Sequence, residues 1–327
     1  MKIYYSGTPT RRGKDVSKYL DLIYIQPRNK KNGNDSNIIS KFYNIIKSVF
    51  IEVKALKKLN PTHIIFEHAG DFNPTLTVFI FCFFYRVKLV VDCHTCVYVD
   101  ADYRYIKKLV NKKIIDFSKI FIAHNQETLT LKNLHNNMFS LESKVPFIEK
   151  SKDLIEIDKS KTNVVFITRF NSDEPIFEMI NCTNFFGNDF QFFMTGNYNK
   201  ILKTSDLKKY KNLTFTGFVS DEKYNSIIYN CDIHVVLTKR DFTLLYGGRE
   251  SISLEKPLVI SDNRPCKNFF NKGSVFVSNN SRDIANGIMI AKKNKVLLSR
   301  QMKILKKEKK DIWDSKIKDL KMKIDLI

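Results

Sequence analysis

Twice along the chain, apolar runs of strand length alternate with longer amphipathic segments. That alternation admits few folds, because it specifies βαβ units wound around a parallel sheet. The first series predicts strands at Lys2 to Ser6, Leu22 to Gln26, His63 to Glu67, Lys88 to Asp92 and Lys119 to Ala123, with a helical pattern from Ile38 to Leu59. Between Lys144 and Lys161 the sequence turns charged and loses helical periodicity. The second series then predicts strands at Asn163 to Thr168, Gln191 to Thr195, Leu213 to Thr216, Ile233 to Leu237, Pro257 to Ser261 and Ser274 to Val277. A length of 327 residues suits two domains of about 150 residues each. The expected architecture is α/β, two Rossmann-like doubly wound parallel sheets facing a central cleft. The expected bounds are 1–150 and 151–305, with a basic helix over 306–327 packing back on the body.

Charge bears on partners more than on fold. The 55 Lys and Arg against 34 Asp and Glu leave a net charge of +21, which draws a protein to anionic lipid, polyphosphate or nucleic acid. The chain is also rich in Asn, Ile and Phe, as A/T-biased genomes favour, so charge alone selects no partner. The basic residues are scattered and form no nucleic-acid-binding module, which argues against nucleic acid. The amino terminus turns polar within a few residues and carries no secretory signal pattern, so the cytoplasm is the expected location. The longest apolar run, Leu76 to Tyr85, is too short to cross a bilayer and reads as a buried helix. Ser281 to Lys293, with Ser281 as N-cap, and the Lys-rich stretch to Ile327 are helical in pattern. Ile304, Trp313, Ile317, Leu320 and Ile324 fall near helical spacing, which fits a helix packed on the body or, more sharply, one lying on a membrane surface.

Six cysteines lie mostly in apolar stretches, where a cytosolic thiol packs as a small hydrophobe. Cys93-His94-Thr95-Cys96 has redox spacing after a strand, but no second pair completes a zinc site. Asp100-Ala101-Asp102 resembles the metal-binding triplet of GT-A glycosyltransferases, yet it falls within a helix-then-strand order that makes it a loop, and no metal is expected.

In doubly wound sheets ligands sit beyond the carboxyl ends of the strands, which is where chemistry is sought. Ile233 to Leu237 leads through Lys239, Arg240 and Asp241 to Tyr246-Gly247-Gly248-Arg249-Glu250. The paired glycines should open a helix whose unpaired N–H groups suit a diphosphate. Glu250, in its first turn, suits the vicinal hydroxyls of a ribose, and Arg249 or Lys239 suits phosphate. In the first half, the loop Ser6 to Lys14 collects Arg11, Arg12 and Lys14 around glycines and is a second phosphate candidate.

Glu250, followed by Lys256-Pro257-Leu258-Val259-Ile260-Ser261-Asp262 and preceded by Asn212 to Val219 and Tyr229 to Asp232, resembles the GT-B glycosyltransferases, above all glycosyltransferase family 4. The resemblance spans almost the whole chain. It implies that Glu250 binds the donor ribose and that Gly247 and Gly248 contact phosphate. It further implies that Arg169, after the strand Asn163 to Thr168, neutralises the leaving diphosphate. Gly7 and Gly196 join the donor-binding set on the same basis. The strand Leu89 to Asp92 resembles the one whose trailing histidine faces the transferred sugar, so His94 is the amino-terminal catalytic candidate beside Arg169, with His68 a weaker rival. Two positions depart from the pattern: Phe242 stands where relatives carry a second glutamate, and Glu174 where they carry a lysine. Lys239, Arg240 or Arg249 would then supply the second positive charge.

The resulting expectation is a metal-independent, cofactor-free, retaining hexosyltransferase. It would move sugar from a nucleotide-sugar, a UDP-sugar above others, to a glycan or lipid-linked acceptor in bacterial surface polysaccharide or cell-envelope synthesis. It would work in the cytoplasm, peripheral on the inner membrane face, with an anionic membrane surface as a partner. The alternatives are a basic nucleic-acid-binding protein and a catalytically degenerate GT-B binding protein.

Overall fold

The computed structural model describes residues 1–27, 38–98, 105–131, 134–149, 157–203, 207, 209–210 and 212–327. The chain divides into two compact units, Met1–Lys144 with Ile312–Ile327, and Val145–Asp311.

Unit 1 runs β1 (Lys2–Ser6), α1 (Arg11–Tyr19), β2 (Ile23–Ile25), α2 (Ile38–Leu59), β3 (His63–His68), α3 (Phe72–Tyr85), β4 (Lys88–Cys93), α4 (Tyr105–Phe117), β5 (Ile120–Ala123) and β6 (Met138–Ser140). Its six strands order as β2-β1-β3-β4-β5-β6, all parallel, with the direction of winding reversed between β1 and β3. Central strands such as β3 read as near-continuous apolar runs because helices cover both faces. On one face Leu56 of α2, Val78 and Phe81 of α3 and Ile114 of α4 pack on Ile64, Phe66 and Val91. On the other, Val16 and Leu20 join Tyr4, Ile65 and Val90.

Unit 2 runs β7 (Thr162–Phe166), α5 (Ile176–Cys182), β8 (Phe190–Thr195), β9 (Leu213–Gly217), α6 (Asp221–Asn230), β10 (Ile233–Val236), α7 (Tyr246–Leu254), β11 (Leu258–Ser261), α8 (Arg264–Phe269), β12 (Ser274–Val277), α9 (Ser281–Lys293) and α10 (Lys295–Asp325). Its strands order as β12-β11-β10-β7-β8-β9, again all parallel.

Several expectations need adjustment. The tail is one helix of 31 residues, α10, since no Gly or Pro interrupts Lys295 to Asp325. It begins in unit 2 and ends in unit 1, and the other boundary between the units falls after Lys144. Trp313, Ile317, Leu320 and Ile324 fill the unit 1 core, whereas Ile304 is exposed because Met302 and Leu305 are the residues that face the unit 2 core. Asn280, not Ser281, caps α9, accepting from the backbone N–H of Asp283. The strand β6 escaped the pattern because three residues are too few to show a period. The apolar run ending at Tyr85 is helical but only partly buried, with Phe83, Phe84 and Tyr85 exposed. Asp100, Asp102 and part of the charged linker, 150–156, lie outside the described residues. All six cysteines are free thiols, and no helix among the described residues is long and apolar enough to cross a membrane.

Candidate functional site

Unit 2 has a cleft of about 460 Å³ beyond the carboxyl ends of its strands, lined among others by Arg169, Gly196, Tyr224, Gly247 and Glu250. The turn after β7 is built by side chains that satisfy backbone. Thr168 donates through Oγ1 to the Thr195 carbonyl at 2.6 Å, joining the ends of β7 and β8. The Glu174 carboxylate accepts from the backbone N–H groups of Arg169 at 3.0 Å and Asn171 at 2.9 Å, folding the loop back on itself. Burial raises its pKa against the pull of those same bonds. Gly196 has φ +98°, and a Cβ there would stand 2.5 Å from the Thr168 carbonyl oxygen, so only glycine lets the two strand ends approach this closely.

The helix α7 enters the cleft with its amino terminus. A Cβ on Gly247 would lie 2.8 Å from Ile167, and one on Gly248 would lie 2.6 Å from the Phe270 ring. These glycines therefore let α7 pack tightly between β7 and Phe270. Glu250 is buried in the helix's second turn region and accepts from the Tyr224 hydroxyl at 2.6 Å. On the far side, Ser251 Oγ sits 2.8 Å from Nδ1 of His234 on β10, fixing the rotation of α7.

Unit 1 holds a buried polar network at the same end of its sheet. Glu67 on β3 and Asp92 on β4 are register neighbours, and both are buried. Two adjacent carboxylates need compensation. Arg12 supplies it: Nε and Nη2 donate to Asp92 at 2.9 and 2.8 Å. Tyr4 Oη and His124 Nε2 reach the same carboxylate at 2.7 and 2.8 Å. Burial alone would raise the Asp92 pKa, but Arg12 and then His124 hold it well below the usual carboxylate range. Burial, reinforced by Arg12, pushes His124 down to about 3, so its imidazole is neutral and its Nε2 carries the proton given to Asp92. Glu67 accepts from Thr10 Oγ1 at 2.7 Å and lies 3.0 Å from His94 Nε2. The His94 and His124 rings meet edge to face, centroids 4.6 Å apart. The close approach of α1 depends on Gly13, where a Cβ would lie 2.7 Å from Glu67 Oε2.

No family model matches the chain, and no curated protein matches it by sequence. Solved structures do match. Sucrose-phosphate synthase (tll1590) from Thermosynechococcus elongatus is 11% identical with a TM-score of 0.77, covering 100% of this chain and 98% of its own. Anabaena Alr3699/HepE in complex with UDP and glucose is 12% identical with a TM-score of 0.75, covering all of both chains. The lipopolysaccharide outer core galactosyltransferase WaaB is 12% identical with a TM-score of 0.64, covering 99% of this chain and 100% of its own. The fold is GT-B.

Within this GT-B chain the expected site residues divide. Arg169, Gly196, Gly247 and Glu250 line the unit 2 cleft, with Arg169 exposed. Gly248 packs behind α7 on Phe270 instead. Arg249 points away: its Nη1 donates to the Leu244 carbonyl at 3.3 Å and its guanidinium lies 5.2 Å from the Phe269 ring centre. Consecutive helical residues project about 100° apart, and here Glu250 takes the cleft side of α7 while Arg249 turns toward Phe269. Lys239 and Arg240 line a neighbouring depression with Asn263 and Asn279 rather than this cleft. Phe242 does not line it either and adopts the left-handed conformation at φ 56°. Gly7 belongs to unit 1, where it borders a cavity with Tyr5 and Asp71. Arg11 and Lys14 are exposed on α1, whereas Arg12, expected to meet phosphate, is buried on Asp92. His68 is buried beneath the network, stacked on Phe66.

Sequence reasoning missed Tyr224, Lys200, Glu67, Asp92 and His124. Lys200 places its ammonium 3.0 Å from the Arg169 carbonyl and 2.9 Å from Asn171 Oδ1. Glu67, Asp92 and His124 each sit at the carboxyl end of a parallel strand, where such sheets meet their ligands, but no motif marks them and their partners are distant in sequence.

Proposed function

We propose that the chain is a nucleotide-sugar-dependent glycosyltransferase, with the donor held by unit 2 and the acceptor by unit 1. The observation that carries this reading is the unit 2 cleft, where Glu250, the amino end of α7 and Arg169 converge beyond the strand ends. On this reading Glu250 bonds the ribose hydroxyls of the donor, a UDP-sugar. Arg169 and the α7 amides receive the leaving diphosphate as negative charge grows on it. Lys200 supplies the second cation in place of the lysine that Glu174 replaces. Neither step draws on a metal or cofactor. The transferred group is a hexose, and the acceptor is a glycan or lipid-linked saccharide of bacterial surface polysaccharide or cell-envelope synthesis, met in the cytoplasm on the inner membrane face.

Glu250→Ala should weaken nucleotide binding by about 1.5 to 3 kcal/mol, roughly tenfold to a hundredfold, through lost charge-assisted hydrogen bonds. Thermal stabilisation by UDP, GDP, ADP and CMP, compared between the native protein and this variant, reads it. Equal shifts in both proteins would end the ribose assignment. Turnover of the donor so identified would remove the degenerate binding protein as an alternative.

In unit 1, His94 is oriented by Glu67 as a general base is oriented by a carboxylate. A carboxylate can only accept, so Nε2 carries a proton and Nδ1 is left to receive one. Resemblance to family 4 implies retention, but this dyad favours a second stereochemical reading. In it, His94 Nδ1 takes the acceptor hydroxyl proton as the new C1–O bond forms and the bond to diphosphate breaks, with inversion. His94→Gln should then spare nucleotide binding and slow transfer by about 10² to 10⁴. The anomer first formed, followed by NMR, separates the two: a retained configuration with full activity in the variant would remove His94 as a base.

A further inference from the structure

The surface of unit 1 carries an apolar and basic face that the fold itself does not use. On α2, Val49, Glu52, Val53 and Leu56 turn inward at helical spacing. The opposite stripe, spaced 3, 4, 7, 11 and 14 residues from Tyr43, consists of Tyr43, Ile46, Lys47, Phe50, Lys54 and Lys57, all of them exposed. Tyr43 and Phe50 are 64% and 58% exposed, a cost in water that an ordinary solvated helix face avoids. The stripe continues onto α3, where Phe84 is 73% exposed and the Lys57 ammonium stands 5.5 Å from the Tyr85 ring. Lys54 lies 4.3 Å over the ring of Phe50, so cations and aromatics interleave.

Charge is one-sided here. The sole acid of α2, Glu52, is buried, and α3 contains none. The neighbouring α4 has Lys107, Lys108, Lys112 and Lys113 against Asp116 alone. Aromatic rings beside lysines, with acids excluded, match the boundary of an anionic bilayer, where rings settle at headgroup depth and ammonium groups meet lipid phosphate. The basic tail does not offer this surface, since the apolar stripe of α10 from Trp313 to Ile324 is spent in the unit 1 core.

We propose that the α2–α3 face of unit 1 docks on an anionic lipid bilayer. This deepens, and for its purpose rests on, the reading of a membrane-borne acceptor. The test is co-sedimentation of the whole protein with vesicles of phosphatidylcholine, alone or with about a third phosphatidylglycerol, at low and high salt. The expected result is binding to the mixed vesicles that salt weakens and that plain phosphatidylcholine does not reproduce. Replacing Lys47, Lys54 and Lys57 together by Gln should weaken it about a hundredfold. Tyr43→Ser with Phe50→Ser should weaken it independently; these side chains are exposed, so the fold survives their loss. Thermal stabilisation by UDP reports unit 2 in every variant and separates the two proposals. UDP binding without vesicle binding overturns the docking face alone, and vesicle binding without UDP binding overturns the donor reading alone. Vesicle binding unchanged in both variants would overturn the assignment of this face. So would a native dimer that the serine variants break while no vesicle binds, because a second copy of the chain would then be the occupant.

Discussion

Arg12→Met should destabilise unit 1 by about 3 to 5 kcal/mol, the cost of leaving a buried carboxylate without its cation. Asp92 is fully buried, and its other partners, Tyr4 and neutral His124, donate hydrogen bonds but bring no charge. Methionine fills a similar volume, so the loss reports the charge and not a cavity. Trp313, the single tryptophan, is buried in the unit 1 core and makes the measurement local. Urea unfolding followed by Trp313 fluorescence should shift strongly. An exposed phosphate-binding arginine would leave the fluorescence midpoint within about 0.5 kcal/mol of native, and that outcome would refute the network as a structural element.

Acid should unfold unit 1 before unit 2. His68 and His124 in unit 1 and His234 in unit 2 are each pushed down to about 3, in every case chiefly by burial. A folded-state value below the unfolded value of about 6.5 means that the unfolded chain binds more protons through this window. Each group's contribution is therefore complete above pH 6.5 and is lost as pH falls toward 3. The slope is about 1.4 kcal/mol per pH unit for each histidine, hence about 3 for the pair in unit 1. Asp92, held low by Arg12, adds a loss of the same sign below about pH 4. Against stabilities of about 5 to 15 kcal/mol, the Trp313 signal should change at a pH well above the midpoint of far-ultraviolet circular dichroism for the whole chain. Coincident midpoints, both in the carboxylate range, would contradict neutral burial of His68 and His124.

How much of this was legible in the sequence depended on whether the signal was local. Strand positions were, because the central parallel strands are apolar across both of their faces: eleven of the twelve strands among the described residues were anticipated to within a residue or two, and the twelfth, β6, is a three-residue edge. The exposure of Phe83, Phe84 and Tyr85 on α3 was hidden, since an apolar residue reads alike whether it faces the core or water. At the site, Gly247 and Glu250 could be placed because a glycine pair near a helix start carries its own geometry, although α7 begins at Tyr246 and so puts Glu250 in the second turn, not the first. Arg12 could not. Its role is set by Asp92, 80 residues away in sequence and adjacent only once β1, β3 and β4 lie side by side. Arg249 misled for the opposite reason: proximity to Glu250 in sequence suggested a shared role, whereas its guanidinium turns to the Leu244 carbonyl and the Phe269 ring.

The helix α10 starts in one unit and finishes in the other, and this has a bearing on the order in which the molecule matures. Trp313, Ile317, Leu320 and Ile324 close an apolar surface formed by residues from Tyr4 to Leu141. During synthesis that surface waits, uncovered, while the whole of Val145–Asp311 emerges and can collapse on its own neighbours. The unit encoded second is thus able to finish first. The nascent amino-terminal half is the species most exposed to misassociation on the ribosome, and cutting the chain just before Ile312 would recreate it in the finished protein.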